Sequence, residues 1–138
     1  MTVRKQWIQA ATVGVDEETG ALLVTQAAGV TVKRAKIHAS SADAAGNELI
    51  AAVAGKKICV LGLCLMAAEG VEATFFSGPA DTGTSLSGPM PLGERGGFVN
   101  PPPADPAMHW LETAAGEKLS LLLSVAVQVS GWLVYYEV

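Results

Sequence analysis

From Leu119 onward one parity of the chain reads Leu119, Leu121, Leu123, Val125, Val127, Val129, and the other reads Ser120, Leu122, Ser124, Ala126, Gln128, Ser130. A period of two belongs to a half-buried strand rather than a helix. A spanning helix would have to bury Ser120, Ser124, Gln128 and Ser130 and end at Glu137, so the run predicts sheet. After Ser130-Gly131 the parity resets, with Trp132, Val134 and Tyr136 opposed to Leu133, Tyr135 and Glu137. The pattern fits two strands or one bulged strand.

Short apolar runs of the same kind lie along the rest of the chain, separated by Gly, Pro, Asp, Asn or Ser. They predict strands at Gln6–Thr12, Ala21–Thr25, Thr31–His38, Glu48–Val53, Lys57–Ala67 and Val71–Ser77, with shorter ones at Pro89–Leu92, Gly97–Asn100 and Met108–Thr113. Between the first two, Val15–Gly20 reads as a turn, with its acidic residues in solvent. Ser40–Gly55 has helix-favouring Ala, Glu and Leu, but Gly46 interrupts it and Gly55 closes it. A loop followed by a strand is the better reading. Closely spaced short strands with such punctuation predict an all-β chain: a jelly-roll-like β-sandwich with an N-terminal strand or arm at 1–12, and residues 1–138 in a single domain.

Ile58–Ala68 is apolar on both faces and too short to span a bilayer as a helix. Such a strand is expected to be covered twice, by the opposite sheet and by a loop or another subunit. Gly62 at its centre marks a bulge or a close backbone approach. Strand periodicity sends Cys59 and Cys64 to opposite faces, as small core hydrophobes that neither bond to each other nor share a metal ion. Gly78–Pro106 is dominated by Gly and Pro and reads as surface loops around one or two short strands, either a recognition tract or a plain connector.

Charged residues make up only 16% of the chain, against about 25% in a typical soluble domain. Either other subunits cover part of the surface, or Ser, Thr and Gly solvate it. Net charge is −4, and the only basic cluster is Val32–Lys36. No nucleic-acid partner is therefore expected, no membrane partner, and no signal peptide at the N-terminus. Residues 1–57 carry seven basic and five acidic groups and residues 58–138 two and eight, an asymmetry that suits head-to-tail contacts or a charged docking surface as well as two differently decorated ends of one sheet stack.

Chemistry is sparse. His38 and His109 are far apart and neither stands in a ligand-spaced set, so no metal site and no cofactor is expected. Gly83-Thr84-Ser85-Leu86-Ser87 fails the nucleophile-elbow pattern at its last position, no phosphate-cradling loop opens a helix, and no enzyme is expected. The candidate residues are instead those of a partner interface. Arg4, Lys5 and Trp7 lie in an N-terminal segment that either completes the sheet or packs on a partner. Phe98 and Trp110 are aromatic residues in or beside the Gly/Pro-rich tract.

Gly55-Lys56-Lys57-Ile58-Cys59-Val60-Leu61, Phe76-Ser77-Gly78, Leu86-Ser87-Gly88-Pro89-Met90-Pro91-Leu92 with Gly96-Gly97, Trp110–Glu117, the alternating Leu119–Leu123 and Gly131–Tyr135 together resemble a family of small β-rich structural proteins of tailed bacteriophages. The likeness spans about Asn47 to Val138; the first 45 residues lie outside it. It implies a virion protein made in the host cytoplasm and carried on the capsid surface. The expected form is a decoration (cement) protein, a homotrimer with the major capsid protein as partner. A receptor- or carbohydrate-binding module on a head fibre or tail is the alternative, with a head–tail joining ring as a third reading. The family transfers no catalytic residue.

Overall fold

The computed structural model describes Val13–Val15, Leu22–Val24 and residues 30–138. The chain divides into two compact units, Met1–Val30 and Thr31–Val138. In the first, β1 (Val13–Val15) pairs antiparallel with β2 (Leu22–Val24), Val13 opposite Val24. The strand expected at Gln6–Thr12, the Val15–Gly20 turn and the N-terminal arm fall wholly or largely outside the described residues.

The second unit is a sandwich of two antiparallel five-stranded sheets, so the all-β sandwich expectation holds. Its strands are β3 (Lys33–Ala39), β4 (Asn47–Ile50), β5 (Ile58–Ala67), β6 (Val71–Ser77), β7 (Thr84–Ser85), β8 (Met90–Leu92), β9 (Gly97–Asn100), β10 (Leu111–Glu112), β11 (Leu119–Leu123) and β12 (Val129–Glu137). One sheet runs β3–β12–β5, and both β9 and β10 pair along the far side of β5. The other runs β4–β11–β6, with β7 and β8 both along the far side of β6. Ile37, Val60, Leu63, Leu65 and Leu133 from the first sheet meet Phe75, Leu119, Leu121 and Leu123 from the second in one buried core. Each such side chain stabilises the fold by roughly 1.5–3 kcal/mol on leaving water. The partly exposed Lys33–Glu137 pair, at 2.6 Å, adds little by comparison.

Buried polar groups pin strand ends and the connection between β10 and β11. Thr113 Oγ1 accepts from the Ile58 amide at 2.9 Å, and Ser120 Oγ donates to the Gly78 carbonyl at 2.8 Å. Ser77 Oγ donates to Glu117 and accepts from the Ala114 amide. Each satisfies a group that would otherwise carry an uncompensated desolvation cost.

Two expectations need correcting. The alternation from Leu119 to Ser130 is not one strand. β11 ends at Leu123, where Ser124 Oγ accepts from the Glu72 amide, while the Gln128 carbonyl already accepts from Ala68 at the end of β5 in the other sheet. The chain crosses between sheets within Ser124–Gln128, and Val125 is exposed there. The two cysteines also share a face. Val134 faces Gly62 but Tyr135 faces Val60, so Leu61 is an extra residue in β5. That bulge flips the parity. Ile58 and Val60 point into the core before it and Leu63 and Leu65 after it, which leaves Cys59, Leu61 and Cys64 outside the core cluster.

Candidate functional site

The side of the sandwich beyond β5 and β6 is closed by strands too short to line it fully. β10 pairs with Cys59 and Val60, and β9 with Leu63–Met66, leaving Leu61 and Gly62 between them. Likewise β8 pairs with Val71–Ala73 and β7 with Phe76 and Ser77. Between β7 and β8 the chain loops outward, and the Phe75 amide donates to Ser87 Oγ at 3.0 Å. The interruptions open a shallow pocket of about 110 Å³ between the sheets. Leu63 and Phe75, both buried, stand in its lining together with Met90 and Leu111. Asn100 and Ser87 supply polar groups, and the candidate aromatics Phe98 and Trp110 line the same pocket. Trp110 is half exposed, and its indole Nε1 donates to the Pro101 carbonyl at 3.1 Å. Phe98 and Trp110 are thus brought together, whereas Arg4, Lys5 and Trp7 lie outside the described residues.

The outer face of the β5–β12 sheet has two halves. Over one, the chain from Pro101 to the 3-10 turn at Pro106–Met108 folds back. Pro102 sits so close above Gly62 that a Cβ there would meet its ring at 2.9 Å, and the Tyr136 hydroxyl lies 3.1 Å from the Pro106 carbonyl oxygen. Cys59, Leu61, Val134 and Tyr136 are all buried on this half. A loop of the same chain therefore provides the second cover expected for β5.

Among the described residues no such cover lies over the other half. Val99, Cys64, Trp132 and Lys36 form one row across four strands, and Met66, Ser130 and His38 the next. Val99 is 57%, Met66 46% and Trp132 41% exposed. Sequence reading missed this patch, because it took Cys64 for a core residue and left the position of Trp132 open.

Within the covered half, Tyr136, Cys59 and Glu112 are lateral neighbours in one row across β12, β5 and β10. His109, which follows the 3-10 turn, reaches over them. Its Nδ1 lies 3.2 Å from the Tyr136 hydroxyl and its Nε2 3.3 Å from Glu112 Oε2. Lys57 Nζ lies 3.1 Å from Glu112 Oε1. The Lys57 ammonium, then His109, holds the Glu112 carboxyl below its ordinary value. Burial raises the Cys59 thiol, so it is no activated nucleophile. The expectation that His109 has no ligand-spaced neighbour is corrected: Glu112 is three residues on, and Cys59 arrives through strand register.

No family model, no curated protein and no solved structure matches the chain.

Proposed function

We propose that the chain is a structural virion protein: a decoration (cement) protein that docks as a homotrimer on the outer face of a tailed-phage head, with the major capsid protein as partner. The observation that carries this reading is a rigid sandwich that keeps large apolar side chains in water. Met108 is 68% and Trp110 50% exposed, alongside Val99, Met66 and Trp132. Val99, Trp132 and Met66 form adjoining rows of one sheet face; exposed apolar groups of this kind mark surfaces that other molecules cover, and aromatic residues anchor such contacts. The resemblance over Asn47–Val138 points to the same context. Strand connectivity supports the jelly-roll form of the sandwich. From β3 to β6 and again from β10 to β12 successive strands change sheet, β12 lies between β3 and β5, and β11 between β4 and β6, as nested Greek keys arrange them. The reading needs no reaction and no cofactor.

The test is to mix the purified protein with expanded heads that lack it. Saturable, stoichiometric binding and a higher rupture temperature are expected, and Trp110→Ala should weaken binding at least about tenfold. Absence of binding to any head would overturn the reading.

The pocket favours a second reading, a receptor- or carbohydrate-binding module. An exposed indole beside Asn100 and Ser87 is the mixture of apolar wall and a few polar groups that small ligands use. Binding on a glycan array that disappears in Trp110→Ala would favour this reading over the first.

A further inference from the structure

The outer-face row that ends at Glu112 brings three different donor atoms together. A cysteine sulfur of Cys59, a ring nitrogen of His109 and a carboxylate oxygen of Glu112 all lie within 4.8 Å of one another. Two are fixed by the cross-strand register of β5 and β10, where Cys59 faces Glu112 directly. The third hangs from the turn that covers them.

The hydrogen bonds around His109 are compatible with a cation between Nε2 and Glu112. The Tyr136 hydroxyl has one proton, and the Pro106 carbonyl 3.1 Å away can only accept it. With that proton committed, the hydroxyl oxygen accepts from His109 Nδ1–H, at 3.2 Å. Nε2, 3.3 Å from Glu112 Oε2, donates to that carboxylate when the ring carries both protons and presents a lone pair to it when the ring is neutral. In that neutral form two acceptors face each other, with the sulfur of Cys59 beside them. The opposite tautomer would let Nε2–H donate to Glu112, but it takes the tyrosine proton away from the Pro106 carbonyl.

We propose that Cys59 Sγ, His109 Nε2 and Glu112 Oε2 form a binding site for one Zn²⁺-like divalent cation, with water as the fourth ligand. Sulfur, imidazole and carboxylate suit a borderline-soft tetrahedral ion. Around such an ion the donors stand about 3.3–3.5 Å apart, and the partly exposed Glu112 side chain has room to swing inward. Tyr136 holds Nδ1 and so fixes the orientation of a ligating imidazole, and Lys57 holds the other carboxylate oxygen. Cys59 is buried while Glu112 is exposed, so solvent reaches the fourth position from one side. The site is independent of the capsid reading and is tested without heads.

The experiment is titration of the full-length, reduced, chelator-treated protein with Co²⁺ and then with Zn²⁺. Expected are a thiolate-to-cobalt charge-transfer band saturating at one equivalent, visible absorption of four-coordinate type, and a rise in Tm with Zn²⁺. Cys59→Ser should abolish the band and Cys64→Ser should leave it. Glu112→Gln, at an exposed position that the fold tolerates, should weaken affinity at least about tenfold, and Tyr136→Phe by a similar factor. No thiolate band and no Zn²⁺-dependent change in Tm at excess metal would overturn the proposal, as would a band that follows Cys64 instead of Cys59.

Discussion

Cys59 on β5 and Tyr136 on β12 are direct cross-strand partners, and both are nearly sealed from water on the sheet face that looks away from the core. Burial, then the neighbouring Cys59, pushes the Tyr136 hydroxyl up to about 12 from an ordinary 10.0. A folded value above the unfolded one means stability present below pH 10.0 and lost as pH rises through the interval to about 12. In metal-free protein, ultraviolet titration should show a tyrosine that ionises near the upper end of that interval and is absent from Tyr136→Phe. The variant should also lose stability less steeply over the same interval. A wild-type titration that matches the variant would refute the placement of this hydroxyl.

Thr113 acts as a buried peg between β10 and the start of β5. Replacing it with Val keeps the shape but leaves the Ile58 amide without its acceptor. The expected cost is about 1–3 kcal/mol, read from chemical denaturation. A change near zero would mean that water replaces the hydroxyl.

Pro102 and Gly62 test the cover over β5. Gly62→Val would drive new atoms into the proline ring and the Asn100 carbonyl, with an expected loss of about 1–3 kcal/mol. Pro102→Ala in the same chain should recover part of that loss, because it removes ring atoms that the new side chain meets. A double-mutant cycle measures the coupling, and strict additivity would show that the loop does not rest there.

Phe75 belongs to both the core and the pocket. Phe75→Ala should cost about 3–5 kcal/mol and enlarge the pocket from below. Uptake of a small apolar probe such as benzene, detectable by NMR only in the variant, is the expected companion effect.

Much of this architecture was legible in the chain. Val71–Ser77 and Gly97–Asn100 are strands with the bounds that alternation and flanking glycines predict. What failed did so for physical reasons. Alternation carries straight through Ser124–Gln128, because the strands on either side share a period while belonging to different sheets. The bulge at Leu61 inserts one residue among uniformly apolar neighbours, so composition hides the parity change that puts Cys59 and Cys64 on one face. The meeting of Cys59, His109 and Glu112 depends on which residue of β10 faces which residue of β5, and sequence spacing does not encode that register. Trp110 and Phe98 stand out as aromatics in or beside a Gly- and Pro-rich tract whatever the register; the structure places both in the pocket lining, Trp110 half exposed and Phe98 partly buried against the core.

The tandem short strands have a consequence for how copies of the protein coexist. A sheet that ends in one long straight strand offers an unbroken ladder of backbone donors and acceptors on which another chain can grow. Here the outer positions beside β5 and β6 are each held by two fragments with a jog between them, so along these two edges the ladder is broken every few residues. At these two edges a neighbouring copy meets side chains more than backbone. Crowding at these edges then favours contacts that can come apart again over strand exchange that cannot.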